Sequence, residues 1–239
     1  MQASDIAQMI DHSLLKPELT LSDVEAGCQT AMKYGTATVC VRPCDVQAAA
    51  EFLAGSSVLV STVVGFPHGS NLTAVKVFEA EQAMAQGAKE LDMVLNIGRL
   101  RAGDFNFVQQ DIQAVVQAAH AQDVVVKVIF ENCFLDKKQI VKACQLAEAA
   151  GADFVKTSTG FGSGGATLAD LRLMRDSCSP TMRLKAAGGV RTLEAALAVR
   201  AVGAVRFGAT ATEAIMDEAL FLEEAARLTE IPDRESNTL

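Results

Sequence analysis

The feature that most constrains this chain is a sustained alternation of short apolar runs with longer amphipathic stretches. The short runs read as strands at 9–12, 37–41, 58–64, 90–95, 124–130, 154–157, 183–187 and 204–207. Between them, helical spacing runs from an N-cap at Thr20 or Ser22 to Gly35, then through 45–53, 73–86, 105–121, 137–150, 168–175 and 193–202. A last helix follows residue 207. Brief apolar strands joined by helical crossovers are the pattern of parallel βαβ units, because parallel strands cannot be joined by a tight turn. Eight such units predict a closed (β/α)8 TIM barrel with a short N-terminal extension and a C-terminal helix. No linker or composition shift divides the chain, so a single domain over residues 1–239 is expected, its polar end at 234–239 disordered.

A repeat supports the count. Gly35, Gly87, Gly151 and Gly203 each close a helix and lead through a small residue into strands two, four, six and eight, at intervals of 52, 64 and 52 residues. Glycine at such a place takes the left-handed conformation that ends a helix.

Composition narrows the function. A net charge of −8 argues against a nucleic-acid surface. The longest apolar runs fall far short of a spanning helix and there is no signal-peptide pattern, so a cytoplasmic protein without membrane contact is expected. The six cysteines then read as reduced thiols. Cys40 and Cys44 are close enough for a metal clip, but no second Cys or His pair completes one, and no metal or other cofactor is expected.

Side chains alternate along a strand, so the inner face can be read. Phe154 and Lys156 share one face, Asp92 shares a face with Glu90, Lys127 lies four residues before Glu131, and Lys185 sits among apolar neighbours. Four consecutive strands thus place an ionisable group where an aliphatic would be expected. Lys156 and Lys185 on adjacent strands would repel in a low-dielectric pocket, and the charge of one would depress the pKa of the other from about 10.4 towards neutrality. A neutral lysine amine can condense with a carbonyl. Asp92 would then serve as a proton shuttle.

The loops after the last three strands point to an anion. Gly160 to Gly165 follow strand six, Gly188-Gly189 open a helix after strand seven, and Gly208-Ala209-Thr210 open another after strand eight. Backbone N–H groups at helix N-termini can hold phosphate there without a basic surface.

With these residues the chain resembles the deoxyribose-phosphate aldolases, the class I aldolases of deoxynucleoside catabolism. The likeness spans residues 10–215 and rests on Ile10-Asp11-His12-Ser13-Leu14-Leu15-Lys16-Pro17, Val64-Gly65-Phe66-Pro67-His68-Gly69, Glu90-Leu91-Asp92-Met93-Val94, Asp153-Phe154-Val155-Lys156-Thr157-Ser158-Thr159-Gly160 and Lys185-Ala186-Ala187-Gly188-Gly189-Val190-Arg191. It implies metal-independent cleavage of 2-deoxy-D-ribose 5-phosphate to D-glyceraldehyde 3-phosphate and acetaldehyde. By the same resemblance Lys156 is the Schiff-base nucleophile, Lys185 the lysine that perturbs it and Asp92 the acid/base. Thr157, Gly160, Gly188, Gly189, Gly208 and Thr210 are expected to bind substrate or phosphate, and Asp11, Cys40 and Lys127 to line the pocket. The expected partners are small sugar phosphates and aldehydes, with a homodimer as the assembly. Thr210 and Ala211 stand where the family usually carries two serines, and Ser13 replaces a threonine. A barrel that holds a sugar phosphate without turnover would have lost this chemistry, yet Lys156, Lys185 and Asp92 are all present. An aldolase with another carbonyl donor fits the same residues.

Overall fold

Parallel strands buried on both faces need every backbone group paired, and a closed barrel meets that need without an edge. The computed structural model describes residues 1–231, so the end expected to be disordered, 234–239, lies outside the described residues. A short helix, α1 (Ala3–Ala7), precedes β1 (Ile10–Leu14), α2 (Leu21–Tyr34), β2 (Thr38–Val41), α3 (Val46–Phe52), β3 (Leu59–Val64), α4 (Thr73–Ala85) and β4 (Glu90–Val94). Then come α5 (Ile97–Arg101), α6 (Phe105–His120), β5 (Val125–Ile129), α7 (Lys137–Ala149), β6 (Phe154–Lys156), α8 (Leu168–Asp176), β7 (Arg183–Ala187), α9 (Leu193–Ala201), β8 (Arg206–Ala209) and α10 (Thr212–Glu224). The eight strands pair in chain order, all parallel, and β8 closes on β1. This is the expected TIM barrel. Strand β1 begins one residue later and ends two residues later than predicted, because Ser13 and Leu14 continue the pairing with Cys40 and Val41.

The glycine repeat has a structural basis. Gly35, Gly87, Gly151 and Gly203 all have positive φ, between 66° and 110°. In each case the next N–H turns back to a carbonyl five residues earlier: Thr36 to Ala31, Ala88 to Ala83, Ala152 to Ala147 and Ala204 to Val199. The residue after that donates to the preceding strand, as Asp153 does to Val126 and Val205 to Leu184. Each glycine therefore ends a helix and sets the register of an even-numbered strand in one step.

Outward strand residues such as Val39, Leu91, Val126, Val155 and Leu184 are buried against the helices and form the apolar core. The inner face is different. Cα register places Asp11, Glu90, Asp92, Lys127, Lys156, Lys185 and Arg206 in the barrel, with Phe154 beneath them. A buried ion pair outside the barrel fastens the strand that carries Asp92. Lys76 on α4 donates to the Val94 carbonyl at 2.9 Å and to Asp111 on α6 at 2.5 Å, and Thr73 donates to the other Asp111 oxygen at 2.7 Å. Both charged side chains are fully buried.

Removing one partner of such a pair strands the other charge. Lys76→Met is expected to lower unfolding free energy by about 3–5 kcal/mol, read from urea denaturation. A loss below about 1 kcal/mol would show that the pair does not hold α4, α6 and β4 together.

Candidate active site

The charged residues inside the barrel converge because alternate positions of six strands face one small volume. Asp92 is at its centre. Its Oδ1 accepts from Lys127 Nζ at 2.7 Å, and its Oδ2 accepts from both Lys156 and Lys185 at 2.6 Å. Lys185 also donates to Asp11, whose other oxygen accepts from Arg206. Arg206 forks onto Glu90 at 3.0 and 3.2 Å, and Lys127 Nζ lies 2.5 Å from the same carboxylate. Ser61 of β3 and the Phe154 ring close the cluster.

Among the described residues the cluster therefore holds four cations and three carboxylates. The distribution is uneven: Lys127 contacts three carboxylates and Lys185 two, whereas Lys156 contacts Asp92 alone. Burial disfavours the Lys156 ammonium, Asp92 opposes that effect, and the neighbouring Lys185 charge reinforces it; its pKa is lowered. Burial works in the same direction on Lys185, but Asp11 and Asp92 outweigh it and the pKa is raised. Lys127 is likewise held protonated, against burial, by Asp92, Asp11 and Glu90. Burial would raise the carboxylate pKa values, yet the surrounding lysines keep Asp92 and Asp11 well below the ordinary range. Lys156 is the amine most available as a nucleophile.

A cavity of ≈ 320 Å³ opens above Lys156 and Lys185 at the C-terminal ends of the strands. Its size suits a small metabolite. Asp11, Cys40, Lys156 and Lys185 form its floor and sides, with Gly160, Gly188, Gly189, Gly208 and Thr210 among the loop residues above. Thus nine of the residues expected at the site share one cavity. Asp92 and Lys127 are fully buried below it and reach it only through the amines. Thr157 is elsewhere: its hydroxyl donates to the Ala187 carbonyl at 3.2 Å and accepts from the Ala187 N–H at 3.1 Å, joining β6 to β7. A substrate oxygen finds no free Thr157 donor there.

The glycines of the loops after β6 and β7 permit a close backbone approach. A Cβ on Gly165 would come within 2.4 Å of the Gly188 oxygen, and Gly188 itself has φ +78°. Ala166 N–H donates to both the Ala187 and Gly188 carbonyls at 2.9 Å. Glu131, expected to share an inner face with Lys127, instead leaves the strand in the left-handed conformation, φ 57°. Its carboxylate accepts the Thr159 hydroxyl and N–H, tying down the same β6 loop. The helices α9 and α10 begin above the cavity behind Thr192 and Ala211.

Sequence reasoning missed Arg206 and the part of Glu90, and also Ser13, Thr159 and Arg191 in the cavity wall. A signal for Arg206 existed: it sits between Val205 and Phe207, as Lys156 and Lys185 sit among apolar residues. His12 faces away from the cavity, its Nδ1 2.8 Å from Thr212 Oγ1, and burial lowers its pKa to about 4. Cys40 is buried, and burial raises its thiol pKa. Among the described residues no group of three His, Cys, Asp or Glu could hold a metal ion, and no helix is long and apolar enough to cross a membrane.

Both the sequence and the fold have known relatives. The model of the DeoC/LacD family aldolases matches residues 6–215. A deoxyribose-phosphate aldolase of Clostridium perfringens is 52% identical over 217 residues, covering 91% of this chain and 96% of that protein. One from Thermococcus gammatolerans is 51% identical over 221 residues, 92% of this chain and 98% of the relative. The tetrameric deoxyribose phosphate aldolase of Aeropyrum pernix superposes with a TM-score of 0.85 at 29% identity, over 91% of this chain and 92% of that one.

The geometry predicts the effect of removing the second amine. In Lys185→Met the carboxylates remain and the repelling charge is gone, so the Lys156 pKa rises. The midpoint for reductive alkylation of Lys156 by a small aldehyde is expected to move up by about one pH unit or more. A midpoint that stays or falls would contradict the charge assignment.

Proposed function

The chain belongs to the DeoC/LacD family of aldolases, and we propose how its buried cluster cleaves 2-deoxy-D-ribose 5-phosphate to D-glyceraldehyde 3-phosphate and acetaldehyde. One observation carries the assignment of roles: Lys156 is the lysine at the cavity floor with a single carboxylate partner and a lowered pKa. Its neutral amine adds to the C1 aldehyde of the open-chain sugar. Loss of water leaves an iminium, which is the electron sink for the next step. A base takes the C3 hydroxyl proton, the C2–C3 bond breaks, and glyceraldehyde 3-phosphate departs. The bonding electrons remain in an enamine, which is protonated at C2 and hydrolysed to acetaldehyde and free Lys156. The reverse sequence makes the bond.

Lys185 lines the cavity and shares the Asp92 oxygen with Lys156, so these two groups are placed to pass protons. Asp92 does this from below, through the amines it touches. Leu15 and Cys40 give the cavity an apolar wall, backed by Val63 and Phe66, which suits the methyl group of acetaldehyde. The backbone of Gly188, Gly189, Gly208 and Thr210, at the starts of α9 and α10, suits the phosphate. Lys127 and Asp11 hold the charge pattern rather than touch the reacting carbons.

The same reading puts the enzyme in cytoplasmic deoxyribonucleoside breakdown, as a homodimer. Leu72, Val75 and Phe78 are exposed along one side of α4 and offer an apolar face to a second copy, and the Aeropyrum pernix relative is itself an assembly of copies.

Borohydride reduction with acetaldehyde, followed by peptide mass mapping, tests the nucleophile. An ethyl group on Lys156, absent from Lys156→Ala, is expected; labelling confined to another lysine would overturn the assignment. At the phosphate end Ala211 supplies no hydroxyl. Ala211→Ser is expected to lower KM for the phosphorylated sugar a few-fold, about 1 kcal/mol for one added hydrogen bond. A wild-type KM no lower than that for unphosphorylated deoxyribose would refute the phosphate site.

A further inference from the structure

We propose that Arg206 is a positioning residue that occupies carboxylate charge from below and thereby leaves Lys156 as the cluster's surplus cation. The inference rests on the reading of Lys156 as the nucleophile but concerns a residue that touches no reacting atom. Arg206 enters the barrel from β8, opposite Lys185 in the strand register. Its guanidinium takes both oxygens of Glu90 and one oxygen of Asp11, and lies 5.9 Å from the centre of the Phe154 ring. The Phe154 ring also carries Arg183, 4.1 Å from its centre, at the lower end of the barrel.

The titratable groups facing this volume come from every strand but one. They are Asp11 of β1, Cys40 of β2, Glu90 and Asp92 of β4, Lys127 of β5, Lys156 of β6, Lys185 and Arg183 of β7, and Arg206 of β8; β3 contributes the neutral Ser61. Arg183 faces solvent and pairs with Asp153, so it is balanced outside the cluster. The Cys40 thiol is neutral because burial raises its pKa.

What remains inside is Asp11, Glu90 and Asp92 against Lys127, Lys156, Lys185 and Arg206. With three carboxylates, three cations are neutralised and the fourth is not. A guanidinium does not release its proton in a protein, whereas an ammonium does. The excess therefore falls on a lysine, and the lysine with the fewest carboxylate contacts is Lys156. Were residue 206 neutral, Glu90 and Asp11 would be freed for the lysines. Three carboxylates would then face three ammonium groups, and Lys156 would hold its proton. Lys185 acts on Lys156 as a direct neighbour; Arg206 acts by setting how many anions are left.

Charge counting makes a prediction that simple loss of packing does not. Arg206→Met removes one positive charge and is expected to raise the pH midpoint for labelling of Lys156 by acetaldehyde and cyanoborohydride by about one unit. Glu90→Gln removes one negative charge and should move the midpoint down. The Arg206→Met/Glu90→Gln double variant restores the balance and should return the midpoint close to wild type, as should Arg206→Lys, which keeps the charge. The low-pH limb of kcat/KM should follow the same order. Thermal melting and circular dichroism identify folded variants; if Arg206→Met does not fold, Glu90→Gln and the double variant carry the same comparison. Midpoints that fail to move in opposite directions, or a double variant shifted as far as the worse single variant, would overturn the proposal. Absence of any Lys156 adduct in the wild-type protein would instead strike the nucleophile assignment, so the two failures are distinct.

Discussion

Four cations and three carboxylates share a volume nearly closed to water, and the rest of the site follows from that inequality. Ion pairing offsets the cost of burying a charge only where a counter-ion is close. Asp92 contacts three lysines, Asp11 contacts Lys127, Lys185 and Arg206, and Glu90 contacts Lys127 and Arg206, so every carboxylate oxygen is already engaged. One amine is left with a fraction of one carboxylate. That amine sits where the cavity opens, and the groups with fuller pairing lie around and beneath it. The lowered pKa of Lys156 reflects its burial and the neighbouring Lys185 charge, which together outweigh the pull of Asp92.

Such a cluster needs a stiff support, because a carboxylate that moved by an ångström would redistribute the pairing. A closed parallel barrel supplies it. The glycine-ended helices α2, α4, α7 and α9 set the register of alternate strands, and the apolar outer faces of those strands pack against the helices. Lys76 and Asp111 fasten the end of β4 just beyond Asp92. The loops that face phosphate are held differently, by backbone contact between Gly165 and Gly188 and by the Glu131 carboxylate on Thr159. Chemistry below and anion binding above are therefore anchored by separate sets of contacts on one scaffold.

Much of this was legible in the residues. Alternating short strands and helices led to the barrel, and the repeated glycines marked the strands they precede. Lys156, Lys185, Asp92 and Lys127 stood out because each interrupts an apolar run at an inward position. Asp11 was harder to read, since β1 holds Asp11, His12 and Ser13 in a row and shows little strand alternation. Arg206 escaped because β8 is only four residues long and includes a glycine, so alternation marks no inner face there. Two lysines on adjacent strands implied mutual repulsion, which periodicity can show. That Asp92 Oδ2 bridges them, and that Arg206 competes for the remaining anions, depends on distances across the barrel that no one-dimensional pattern contains. Thr157 illustrates the converse: its place in a specific motif suggested substrate, while its position just past β6 turns the hydroxyl into the wall between β6 and β7.

The central claim is that the surplus charge falls on Lys156 and on no other lysine of the cluster. Titration of the protein with ¹³C-labelled lysine side chains, the signals assigned through single lysine variants, measures this directly. The account predicts that Lys156 loses its proton below the ordinary lysine value of about 10.4 and before Lys127 and Lys185, which stay protonated beyond it. A Lys156 signal that titrates at or above the ordinary value, or that follows Lys185, would contradict it.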